Sequence, residues 1–139
     1  MTDQEAFSTA LAGLRCQDAA SIESGNGDHG DRCAYRNYKG LKCAAGMLIP
    51  DELYSALPVC IENVAIGSLA TSDAYIGTGL HRLFDGVSVV LLQDLQSAHD
   101  QQLRNSGLEL WEQRMEDIAG KYGLLYEAPD EPTTDTITA

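Results

Sequence analysis

The chain has 139 residues, 44% hydrophobic and 22% charged, with 9 Lys+Arg against 21 Asp+Glu, a formal net charge of −12 and an isoelectric point near 4.4. An apolar fraction of that size supports one buried core and excludes disorder throughout, while the carboxylate excess repels a phosphate backbone and excludes a general nucleic-acid binder. The longest apolar run, Val87-Ser88-Val89-Val90-Leu91-Leu92, is far shorter than the roughly 20 residues that span a bilayer; with no basic start or cleavage-like site at Met1-Thr2-Asp3-Gln4-Glu5, neither membrane insertion nor export is expected, and the chain reads as cytoplasmic.

Thr2-Asp3-Gln4-Glu5 is a capping-box pattern, in which the threonine hydroxyl and the glutamate carboxylate satisfy two amides reciprocally. A helix is predicted from there to about Ala19 or Ala20, with Ala6, Phe7, Ala10, Leu11 and Leu14 on its apolar face. Residues 24–31 then read as a flexible polar loop. Over residues 32–43, Cys33, Tyr35 and Tyr38 alternate with Arg32, Ala34 and Arg36, and Asn37-Tyr38-Lys39-Gly40 supplies a turn, which predicts a short β-hairpin. Residues 44–49 are apolar and small and fit one buried helical turn or a strand; Pro50 ends them and opens a fresh helix whose first turn is acidic.

Residues 57–85 carry the least regular pattern. Pro58 is placed to open a helix through Leu69, and Gly67, Gly77, Gly79 and Gly86 interrupt any periodicity beyond it. Gly77-Thr78-Gly79 reads as a turn and not as a phosphate loop, since no Lys-Ser/Thr comes after it. Val87, Val90, Leu91, Leu95 and Ala98, widened by Leu92, predict a helix central to the core, with Asp100 and Arg104 as a solvent-facing pair. Ser106-Gly107-Leu108-Glu109 is a second capping-box pattern. The last helix has Trp111, Met115, Ile118 and Tyr122 on one face and Glu109, Glu112 and Glu116 on another, and stops at Gly123. The expected fold is thus α+β and mainly helical: a single domain over 1–126 with one hairpin, at about 32–43, packed on helices, a C-terminal antiparallel helix pair, and an acidic disordered tail over 127–139.

The segments Arg32-Cys33-Ala34-Tyr35-Arg36 and 40–54, Gly-Leu-Lys-Cys-Ala-Ala-Gly-Met-Leu-Ile-Pro-Asp-Glu-Leu-Tyr, resemble a signature of small bacteriophage and prophage proteins of no assigned activity, with Leu95-Gln96 and His99-Asp100 extending the likeness. It covers about half of the chain, is strongest over 32–54, and departs from the usual pattern over 59–85. The resemblance implies a phage or prophage origin and an accessory role on a host machine; it transfers no catalytic role to any residue.

The four cysteines, Cys16, Cys33, Cys43 and Cys60, form no Cys-x-x-Cys pair, and in a cytoplasmic chain they are expected to be reduced. Three functional readings compete. The first is a non-enzymatic phage-type protein that binds and modulates a host protein with a basic surface, with inhibition of a nucleic-acid-directed defence system as its sharper form. Its contacts would be Glu109, Glu112 and Glu116 on the last helix and the cationic loop of Arg32, Arg36, Lys39 and Lys42. The second is a small metal-binding module in which Cys33 and Cys43 converge with His29 at the base of the hairpin. The third is a cysteine-dependent enzyme using Cys33 or Cys43 with His29, His81 or His99 as base. His99 reads as a surface or boundary residue and His81 as a helical partner of Asp85. No cofactor motif is present, so none is expected, and the oligomeric state is left open, a homodimer included.

Overall fold

The computed structural model describes residues 1–23, 32–37, 39–57, 66–71 and 79–128, with the side chains of Arg32, Cys33, Leu69 and Thr71 left aside. The predicted loop at 24–31, Tyr38, the opening of a helix at Pro58, the Gly77-Thr78 turn and the tail from 129 onward lie outside the described residues.

Helix α1 (Asp3–Gln17) starts on the capping box: Thr2 Oγ1 accepts from the Glu5 amide at 3.1 Å and Glu5 Oε1 accepts from the Thr2 amide at 2.9 Å. It stops short of Ala19. Asp18 turns left-handed at φ 50° and sends its N–H back to the Leu14 carbonyl, a conformation that Asp tolerates better than most residues.

The expected α+β fold with a hairpin over 32–43 is not what forms. The described residues are 68% helical, and the extended pairing among them is two residues long, Ile22–Glu23 against Arg32–Cys33, plus a single bridge between Arg36 and Lys42. Two backbone bonds join the arms, Cys43 N–H to the Tyr35 carbonyl and Asn37 N–H to the Leu41 carbonyl, and there the pairing stops. The Gln17 side-chain amide takes both backbone groups of Lys42, accepting its N–H and donating to its carbonyl at 2.8 Å each. Cys43 is then used as the cap of a helix, its Sγ accepting the Gly46 amide. Asn37 closes the tight loop between, its Oδ1 accepting the Lys39 and Leu41 amides.

Helices α2 (Ala44–Leu48) and α3 (Asp51–Ala56) come after this loop, separated at Pro50, which has no amide to donate. Helix α4 (Ile66–Thr71) and helix α5 (Leu80–Phe84) are next; α5 is capped by Gly79 at φ 97°. Helix α6 (Val89–Ala98) begins at Ser88, whose hydroxyl accepts the Leu91 amide and whose own amide donates to Asp3 Oδ1 at 2.7 Å. That bond ties the starts of α1 and α6 together. Val87 lies outside the helix and so does not share its phase with Val90, which points outward and is 52% exposed; the buried stripe is Leu91, Leu92, Leu95 and Ala98.

The chain continues without a break into a π-helical turn (His99–Leu103), closed by the Arg104 N–H on the His99 carbonyl, five residues back. Ser106 and Gly107 both donate to the Gln102 carbonyl and end this helix, and Gly107 at φ 93° caps α7 (Leu108–Tyr122) in place of Ser106. The second capping box is therefore not made, because the glycine takes the left-handed turn one residue later. Helix α7 runs back along α6 until Lys121 and Tyr122 meet Asp94 at 2.9 and 2.6 Å.

Helix α6 packs against α1, α2, α4 and α7, and the core closes around Phe7, Leu14, Leu80, Leu95, Trp111 and Met115. The tightest seam is at α2. A Cβ on Gly46 would lie 2.0 Å from the Tyr35 carbonyl oxygen, so backbone itself blocks a larger residue. Gly46→Ala is expected to destabilise the fold by about 2 to 4 kcal/mol. In contrast Gly120→Ala, on α7 with open space around it, is expected to stabilise by about 0.5 to 1 kcal/mol; urea unfolding followed by Trp111 fluorescence checks both.

Candidate functional site

Helical arithmetic on α7 places Glu109, Gln113, Glu116 and Asp117 on one side, at i, i+4, i+7 and i+8, and all four are exposed. Three carboxylates thus share a stripe about 12 Å long, at 1.5 Å of rise per residue, with no cation among them. The nearby cations are engaged elsewhere: Lys121 donates to Asp94, and half-buried Arg114 lends its charge to the same carboxylate. Asp117 is absent from the residues singled out by sequence, although its spacing from Glu109 and Gln113 places it in the stripe.

Glu112, expected on this face, turns inward. Arg15 Nε and Nη2 grip its two oxygens at 2.5 and 2.9 Å, and the Tyr126 hydroxyl donates to it at 2.8 Å. Arg15 also reaches the Glu127 carbonyl and lies over the Tyr126 ring, so the C-terminal stretch is strapped to α1. Gln4 holds the same strap by exchanging two bonds with the Leu125 backbone. Burial pushes the Glu112 carboxyl up, but the Arg15 and Tyr126 hydrogen bonds and the Arg15 charge outweigh it and hold it below the usual carboxylate range. No local signal announces this pair, whose members are 97 residues apart.

The cationic loop is partly neutralised. Arg36 Nη1 lies 2.7 Å from Asp51 and Lys42 Nζ 3.4 Å from the same oxygen. Arg36 also donates to the Ile49 carbonyl and covers the Tyr54 ring at 4.3 Å. The charges of Lys42 and Arg36 hold the Asp51 carboxyl below its ordinary value. These contacts fasten α3 to the 36–42 loop. Lys39 is exposed, and the Arg32 side chain lies outside the described residues.

His99, expected at the surface, is fully buried. It is in phase with Leu92 and Leu95, seven and four residues before it, so the apolar periodicity already held it. Its Nε2 accepts the Ser21 amide at 2.9 Å and its Nδ1 meets Asp100 Oδ1 at 2.8 Å, which puts the ring proton on Nδ1. Asp100, expected to face solvent, also accepts from Gln96 at 2.9 Å, and Gln96 Oε1 accepts the Ala45 amide at 3.2 Å.

These bonds engage both ring nitrogens, and His99 is not placed as a base for a thiol. Cys43 is no better suited: burial pushes its thiol up to about 12, away from the thiolate that a nucleophile or ligand requires. Cys16 is exposed on α1. Among the described residues no group of three or more His, Cys, Asp or Glu side chains is arranged to hold a metal ion; the Cys33 side chain, His29 and Cys60 lie outside them. His81 and Asp85 line a cavity of about 600 Å³ beside α5, together with Arg82 and Phe84. No helix among the described residues is long and apolar enough to cross a membrane.

No family model matches the chain, and neither a curated protein nor a solved structure matches it.

The Arg15–Glu112 grip has a pH signature. A carboxyl held below its unfolded value, near 4.3, contributes stability that is complete above that value and lost as pH falls through the folded one. Glu112→Gln is expected to cost about 1 to 2 kcal/mol at pH 7. The gap to the parent chain should close as pH drops below about 4, as read by urea unfolding across a pH series.

Proposed function

We propose that this chain is a non-enzymatic accessory protein of the phage type that binds a basic surface on a host protein through the outer face of α7, and inhibits that partner. The observation that carries the reading is the stripe of Glu109, Glu116 and Asp117, three exposed carboxylates on one rigid helix with no cation among them. The net charge of −12 supplies a long-range field of the same sign, which steers encounter with cationic surfaces. A groove built for phosphates is the surface such a stripe fits, so a nucleic-acid-directed defence enzyme in the host cytoplasm is the partner class that suits it. Glu112 belongs to the scaffold that holds α7 against α1 and is not a contact residue in this reading. Arg36 and Lys42 likewise serve the α3 junction.

Charge reversal tests it. The tagged chain is used to capture its partner from a bacterial lysate treated with nuclease, and the purified pair is titrated. Combining Glu109→Lys, Glu116→Lys and Asp117→Lys is expected to weaken Kd at least about tenfold and flatten its salt dependence, with the far-ultraviolet circular dichroism unchanged. Glu112→Gln is expected to change Kd by less than about twofold. Binding that survives the triple reversal on a folded chain would sink the reading.

A further inference from the structure

Ser21 and His99 are the buried polar residues among those described, and they are bonded to each other. The Ser21 amide needs an acceptor, and His99 Nε2 supplies it only while that nitrogen carries no proton. A second proton on the imidazole would sit on Nε2 and face the Ser21 N–H, setting donor against donor in a buried place. The bond from Nδ1 to Asp100 persists in both forms, so Asp100 does not remove the conflict.

Ser21 is also a fastening point. Its carbonyl accepts the Ala34 amide at 3.0 Å and its hydroxyl donates to the Leu41 carbonyl at 3.0 Å. Its neighbour Ile22 pairs with Cys33 and accepts from the Asn37 side chain at 3.3 Å. Among the described residues Asp100, on its own turn, meets the ring, and the charge of Asp100 acts in turn on the Cys43 thiol at the start of α2. Between α1 and α7 the ionisable pair is Arg15 with Glu112, and the fully buried residues of both helices are apolar.

We propose that the His99–Ser21 contact is an acid-opened latch: a proton on His99 releases Ser21, and with it the hold of Ser21 on Ala34 and Leu41, from the end of α6. The fastened form holds one proton fewer than the released form, so falling pH favours release. One proton of difference lets the ratio of fastened to released chains fall by up to about tenfold per pH unit. The device is independent of the docking face on α7.

Amide hydrogen exchange by NMR on the intact chain, corrected for the intrinsic pH dependence of exchange, reads the latch directly. Between pH 7.5 and 5.5 the protection of Ser21 and Ala34 is expected to drop by up to about tenfold, while Met115 and Ile118 in α7 hold theirs. The imidazole nitrogen shifts of His99 should report the Nδ1–H form at pH 7.5. His99→Gln, which offers an oxygen to the amide and takes no proton, should keep Ser21 protected at both pH values. Protection of Ser21 that does not change in the parent chain would overturn the proposal. So would a parallel loss in α7, or a loss that persists in a folded His99→Gln chain.

Discussion

Helix α6 is the element against which α1, α2, α4 and α7 all pack, and its inner stripe of Leu91, Leu92, Leu95 and Ala98 has to be covered on every side at once. The helix is short, so most of its stability comes from that covering and not from propensity. Three of these neighbours are then positioned by polar bonds. Asp3 fixes the start of α1 to Ser88, Gln96 fixes the start of α2 through Ala45, and Asp94 receives the far end of α7. Apolar burial supplies the drive, and these bonds choose the register.

The same logic explains why this chain makes so little sheet. The arms over 35–43 share two backbone bonds, Cys43 N–H to the Tyr35 carbonyl and Asn37 N–H to the Leu41 carbonyl, and go no further. Gln17 takes both backbone groups of Lys42, helix α2 takes the Cys43 carbonyl, and His99 takes the Ser21 amide. Buried backbone groups must be paired by some partner, and here side chains from helices do the pairing that a neighbouring strand would have done. Gln4 repeats the device on Leu125 at the other end of the molecule. Extended stretches in this protein are laid onto helices one residue at a time.

The distribution of charge is set by the packing. Carboxylates that meet a cation are drawn into the scaffold, as Glu112 is by Arg15, Asp51 by Arg36 and Lys42, and Asp94 by Lys121. The outer stripe of α7 is what this sorting leaves uncompensated. A rigid helix that presents carboxylates about 1.5 and 10.5 Å apart along its axis suits recognition of fixed cations better than a mobile acidic tail, because less ordering is required on contact. The proposed role in docking uses that rigidity.

Much of the helical layout was legible in the residues themselves: the capping box at Thr2, the stripe of Ala6 to Leu14, the apolar face of α6, and the stop at Gly123 all report local periodicity and caps, which depend on neighbours three or four residues away. The candidate stripe was legible to the same degree through Glu109 and Glu116. What the tertiary structure alone decided were the contacts between residues far apart in the chain. It turned Glu112 inward to Arg15, exposed Val90 once the helix began after Val87, buried His99 against Ser21, and replaced a plausible hairpin with Gln17 and the cap of α2. Local pattern states which residues favour a helix or a turn; which buried donor meets which acceptor is settled only when the whole chain closes, because each such bond excludes the alternatives.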